Sequence, residues 1–157
     1  MAPPASPPSA LGILLRLVHQ HWSSAVDEAL RAAGYDGIKP HHANVFPFIP
    51  AAGIQVSELT RLARVRKQTM AQAIEELEAM GYVERRPDPN DRRGRLVFLT
   101  ARGKGVRPVA AAAAGRVEAE WATVIGRREL EALRGGLLAL LAGLAGPDDA
   151  REPAPRD

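Results

Sequence analysis

The apolar positions of this chain fall into helical registers over most of its length, broken once by a stretch that reads as paired strands. Leu11, Leu15, Val18, Trp22, Ala25 and Ala29 form an apolar stripe on a first helix, residues 10–33, ending near Gly34. Pro40 suits the start of a second helix, and Pro47 and Pro50 hold it to little more than two turns. Leu59, Leu62 and Ala63, then Met70, Ile74 and Leu77, mark two more helices, each with one buried face. Gly81 ends the latter. Residues 82–86 and 95–99 follow as strands, with Val83 and then Leu96, Val97, Phe98 and Leu99 as their apolar material. Pro87, Asp88, Pro89, Asn90, Asp91 and Gly94 mark the loop between them. Thr100 is placed to cap a long helix reaching residue 125, bent near its start by Pro108, and a last helix carries Leu130, Leu133, Leu137, Leu140, Leu141 and Leu144. The pattern predicts a mainly α fold with a small β-ribbon.

Only Arg64, Val65 and Arg66 separate the helix of Leu59 from that of Met70, a connection suited to the steep crossing of a helix-turn-helix, with Val65 plugging the corner. The ribbon that follows makes residues 54–100 a winged helix-turn-helix. At the start of its second helix Arg66, Lys67, Gln68, Thr69 and Gln72 offer forked donors and mixed donor-acceptor groups, which read base edges in a major groove. Glu75, Glu76 and Glu78 near the helix end would be repelled by phosphate, so only the first two turns approach nucleic acid. Arg92, Arg93 and Arg95 near the loop tip suit a minor groove, where a narrow channel concentrates negative potential.

Charge is placed where this reading needs it. The chain carries a net +3, but residues 61–107 hold 12 Lys plus Arg against 6 Asp plus Glu, a local +6 that leaves the flanks together at 3 below neutral. At 157 residues the chain fits one domain, residues 10–146, with the proline-rich residues 1–9 and residues 147–157 expected to be disordered. Having no cysteine, it forms no disulfide, no thiolate metal site and no cysteine-based oxidation sensor. The apolar run 137–146 falls well short of the about 20 residues a membrane helix needs. The N-terminus lacks the basic start and cleavage pattern of a signal peptide, so a cytoplasmic protein is expected.

The segment VSELTRLARVRKQTMAQAIEELEAMGYVERRPDPNDRRGRLVFLTARG resembles the DNA-binding core of the MarR family of bacterial transcriptional regulators. The likeness is tightest over Leu77, Glu78, Gly81, Tyr82, Val83, Glu84 and Arg85, followed by DPNDRRGRLVFLT. It implies a homodimeric repressor on a pseudo-palindromic operator in double-stranded DNA, dimerisation helices at residues 10–33 and 101–146, and a small aromatic or phenolic effector that weakens DNA binding. It also implies that Asp91 orients Arg93. Two positions depart from the family pattern. Glycine usually stands where this chain has Arg64, at a cost of about 1 kcal/mol for a left-handed arginine. Serine or threonine usually caps the recognition helix where it has Arg66, and a missing cap costs about as much again. Arg66 faces the groove in this docking, whereas Arg64 is either a phosphate contact or a solvated turn residue.

Dimerisation has a physical argument as well. Gly135 and Gly136 weaken the last helix by about 1 kcal/mol each. No later element covers its leucines, so a second subunit, or the first helix of the same chain, must pack on them. For an effector, Trp22, His41, His42 and Phe46 would converge near the junction of the terminal helices and the winged unit, though each also suits ordinary packing. His19 and His21, two apart, and the adjacent His41 and His42 do not share a helical face as zinc pairs do, so no metal site is expected. An enzyme is disfavoured: there is no glycine-rich phosphate loop and no recognisable nucleophile setting, and Glu75, Glu76 and Glu78 lack partners to tune them. The remaining alternative is a winged module that contacts proteins without sequence-specific DNA binding, against which stand the arginine-rich wing and Gln68, Thr69 and Gln72.

Overall fold

The computed structural model describes residues 10–144, with the side chains of Arg92 and Arg93 outside that description. The ends expected to be disordered, 1–9 and 147–157, lie outside the described residues. The described residues divide into two compact units, with the boundary between Gly115 and Arg116.

In the first unit, helix α1 (Leu11–Ala32) buries Val26 and Leu30 and leaves Leu11, Leu14, Leu15, Leu17 and Val18 exposed. The helix expected after Pro40 is instead a pair of short 3-10 turns, Pro40–Asn44 and Phe46–Phe48. Pro47 brings no N–H to an α-helical ladder, and the chain turns early enough to bury Val45, Phe46 and Ile49. The carbonyls of Phe46 and Ile49 find another donor: the Arg107 guanidinium reaches Phe46 O, at 2.8 Å from Nε, and Ile49 O.

Strand β1 (Ile54–Gln55) follows, too short to show alternation in the sequence, and makes the expected two-stranded ribbon a three-stranded antiparallel sheet of order β1-β3-β2. Helices α2 (Val56–Ala63) and α3 (Lys67–Ala79) form the helix-turn-helix. Leu59, Met70, Ile74 and Leu77 are buried as expected, and Val65 packs against them, but Leu62 is exposed. Arg64 adopts the left-handed conformation (φ 52°, ψ 39°), and Arg66 stands extended at the head of α3 with no side-chain cap bond. Gly81, at φ +74°, closes α3, and the Tyr82 N–H bonds back to Leu77 O at 2.8 Å.

Strands β2 (Val83–Asp88) and β3 (Asp91–Leu99) pair from Val83↔Leu99 to Pro87↔Arg95, with an irregularity between Pro87 and Asp88. The ribbon is thus longer than the sequence suggests. Only Pro89 and Asn90 lie between the strands, and Arg92 and Arg93, expected in the loop, belong to β3 together with Arg95. Buried Asp88 explains the extension: its carboxylate accepts the Asn90 N–H at 2.8 Å and the Gln55 amide at 3.1 Å, fixing the turn and tying it to β1.

Thr100 caps helix α4 (Ala101–Ile125), its Oγ1 accepting from Gly103 N at 3.1 Å and donating to Gly81 O at 2.6 Å. Pro108 lies inside this helix, which continues through it. The second unit holds the end of α4 and helix α5 (Arg127–Leu144), joined by an Arg134–Glu118 ion pair at 2.7 Å and burying Val117 and Leu130. Among the described residues no helix is long and apolar enough to cross a membrane.

Candidate nucleic-acid interface

Helix α3 is buried along Met70, Ala73, Ile74 and Leu77, which turns Gln68, Thr69 and Gln72 to the opposite, exposed side. Arg66 and Lys67 are exposed at its start, where the backbone N–H groups are unsatisfied and the helix dipole is positive. The five residues expected to meet a groove therefore share one end of one helix. The β2–β3 hairpin projects separately, with Arg95 exposed opposite Pro87 and the backbone of Arg92 and Arg93 between the turn and Arg95. Arg86, on the neighbouring strand, lies over the Phe98 ring at 4.8 Å.

The acidic end of α3 differs from expectation, because Glu76 and Glu78 are both partnered. Arg85 meets Glu78 twice, through its backbone N–H and its Nε, each at 3.1 Å. Glu76 gathers more. Its Oε2 lies 2.9 Å from Lys39 Nζ, 2.9 Å from His42 Nε2 and 3.3 Å from His41 Nε2, and its Oε1 accepts from Gln72 Nε2 at 2.9 Å. The bonds from Lys39, Gln72 and His42 hold the carboxyl down at about 2, the lysine contributing most. His42 is fully buried, and burial lowers its pKa, opposed in part by the bond to Glu76.

Helical spacing argued against a metal here, yet the 3-10 turn brings candidate ligand atoms of His41, His42 and Glu76 within 4.8 Å of one another. His42 Nδ1 already accepts the Lys39 N–H at 3.0 Å, and the Lys39 ammonium sits on the carboxylate oxygen a cation would need. The arrangement is that of an ion pair. No spacing rule on a helix could have found it, since Glu76 is 34 residues from His42.

A cavity of about 430 Å³ opens in the first unit. Trp22, Val26, Leu30, Ile38, Phe46 and Val106 make it apolar, and Ser23, Asp27 and Arg107 are its polar groups. Of the four residues expected near an effector, Trp22 and Phe46 line it. His41 and His42 do not; they turn to Glu76. Ala43 and Pro47, on the same pair of 3-10 turns, complete the wall beside Phe46.

A family model described as the MarR family matches residues 36–94, which run from the segment before the 3-10 turns through the helix-turn-helix into the hairpin. A curated relative, the transcriptional regulator HosA of Escherichia coli O111:H-, is 33% identical over 86 residues, 55% of this chain. That match spans 64% of HosA, a little under two thirds of its length. Among solved structures, a mutant MarR from E. coli complexed with operator DNA is similar at 28% identity and a TM-score of 0.70, over 83% of this chain and 93% of that one. CouR from Rhodococcus jostii RHA1, bound to p-coumaroyl-CoA, shares the fold at 24% identity and a TM-score of 0.66, over 84% of this chain and 92% of that one.

Proposed function

We propose that this chain, whose residues 36–94 match the MarR family model, is a cytoplasmic, sequence-specific DNA-binding repressor of that family acting as a homodimer. The observation that carries this reading is the exposed first turns of α3, where Arg66, Lys67, Gln68, Thr69 and Gln72 offer donors and acceptors together while the opposite face of the helix is buried. Gln68, Thr69 and Gln72 specify bases, Arg66 and Lys67 add phosphate or base contacts, and Arg92, Arg93 and Arg95 of the hairpin grip the flanking minor groove. That the similar MarR structure is a complex with operator DNA supports a DNA-binding reading. Two substitutions test it in opposite ways. Gln72→Ala should relax base preference at one position of the half-site. Arg95→Ala should weaken binding to most sequences and flatten the salt slope by about one unit for a lost phosphate contact. Unchanged preference in the first and unchanged slope in the second would overturn the docking.

The dimer rests on apolar surface. Leu11, Leu14, Leu15, Leu17 and Val18 of α1 are exposed in the single chain, and so are Leu133, Leu137, Leu138, Leu140, Leu141 and Leu144 of α5. Patches of this kind on terminal helices call for a partner surface. The effector reading rests on the cavity, whose size and largely apolar wall with three polar groups suit a small aromatic or phenolic compound.

A further inference from the structure

We propose that Glu76 is a positioning residue for base reading: anchored through Oε2, it fixes the amide of Gln72 through Oε1 and thereby sets a preference for adenine at the base Gln72 meets. The inference rests on α3 being the recognition helix.

A glutamine amide on a helix surface has two orientations that differ only in which end carries the N–H groups, and free in solvent it samples both. Here one of them is selected. Gln72 Nε2 lies 2.9 Å from Glu76 Oε1. Flipping the amide would set its carbonyl oxygen against a carboxylate that stays ionised, with its pKa at about 2. Gln72 therefore keeps one N–H on Glu76 and presents its second N–H beside its carbonyl oxygen, a donor next to an acceptor. Adenine offers the complementary pair on its major-groove edge, the N7 acceptor and the N6 amino donor, whereas guanine offers two acceptors.

The carboxylate can orient Gln72 only if it is itself held, and its two oxygens divide the work. Oε2 takes Lys39 Nζ and His42 Nε2, both at 2.9 Å. The His42 contact is directional, because Nδ1 accepts the Lys39 backbone N–H at 3.0 Å and so leaves the proton on Nε2, pointing at Glu76. His42 is wholly buried and cannot swing away. The Lys39 ammonium offsets the negative charge that would otherwise stand near phosphate.

The test compares wild type with Gln72→Ala, Glu76→Ala, Glu76→Gln and the double variant Gln72→Ala/Glu76→Ala. Each is titrated against the duplex that wild type selects from a random pool and against single-base replacements of it, with thermal unfolding measured alongside. Wild type should prefer adenine at the Gln72 position by roughly 5- to 150-fold, the range of one bidentate contact. Glu76→Ala should lose most of that preference at that position alone, and the double variant should be no less selective than Gln72→Ala. Glu76→Gln, whose carbonyl oxygen still accepts a hydrogen bond, should retain most of it. Rescue by Glu76→Gln separates positioning from general destabilisation, which would lower binding at every position alike. If Gln72→Ala loses the preference while a folded Glu76→Ala keeps it, Glu76 does not position Gln72. If wild type selects no sequence at all, the DNA-reading function itself is wrong and the inference falls with it.

Discussion

At the residue scale, two arginines mark where this chain departs from the easiest way to build its fold. Arg64 holds a left-handed conformation that costs an L-residue about 1 kcal/mol or more, and Arg66 occupies the head of α3 without bonding to the first turn. Both features are legible from side-chain chemistry at two known turn positions. Arg66→Ser would supply the missing acceptor, and it should raise the unfolding free energy in urea by about 1 kcal/mol while weakening DNA binding. Such opposite effects mark a residue kept for function at the expense of stability. His42 makes a second residue-scale prediction. Its pKa is lowered in the folded state, so folding favours the neutral ring. The stability it contributes is therefore whole above the ordinary histidine value of 6.5 and is lost as pH falls through 6.5 toward the folded value. Glu76 acts lower: its contribution is present above 4.5 and lost as pH falls from there toward about 2. Urea midpoints at about pH 7.5 and about pH 5.5 should fall in wild type and fall less in His42→Gln, which keeps a donor for Glu76. Equal drops in the two proteins would show that His42 does not set this slope.

At the element scale, the parts that were legible are those governed by local periodicity. The helical spacing of Met70, Ile74 and Leu77 located α3, and Thr100 and Gly81 marked the start of α4 and the end of α3. What escaped detection depends on contacts between distant residues. Strand β1 has two residues and exists only through its pairing with Val97 and Leu96. The hairpin outgrew its apolar signal because Asp88 satisfies the turn, an effect that needs Gln55 as well. The 3-10 turns that stand in place of a helix bury Val45, Phe46 and Ile49, with Arg107 donating to the carbonyls of Phe46 and Ile49. The same short segment carries the cavity wall at Phe46 and the Glu76 partner at His42. The approach of α4 to the start of β2 is a further element-scale constraint: a Cβ on Gly103 would lie 2.0 Å from Tyr82 O. Gly103→Ala should cost about 1–3 kcal/mol in urea unfolding, because backbone must move to admit the methyl group.

At the scale of the whole molecule, the proposed repressor consists of two copies of the chain, and a small compound alters their hold on DNA. The apolar surfaces of α1 and α5 predict a particle of twice the chain mass by light scattering at micromolar concentration, and Leu137→Glu with Leu141→Glu should shift it toward monomer. Trp22 lines the cavity, whereas Trp121 belongs to the second unit, so a Trp121→Phe variant reports the cavity alone. Aromatic acids and phenols that bind there should quench its fluorescence and release DNA over the same concentration range. Sequence alone reached the two terminal helices and both aromatic residues of the cavity wall, Trp22 and Phe46, but a cavity is a volume between elements and no spacing rule measures it. Affinity selection from a randomised duplex pool at two salt concentrations asks directly whether the protein reads DNA sequence as a dimer. A dimeric sequence reader should recover an inverted repeat whose half-sites lie about one helical turn apart, still preferred at the higher salt. Weak binding that ignores sequence and vanishes with salt would contradict it and favour a module that contacts proteins.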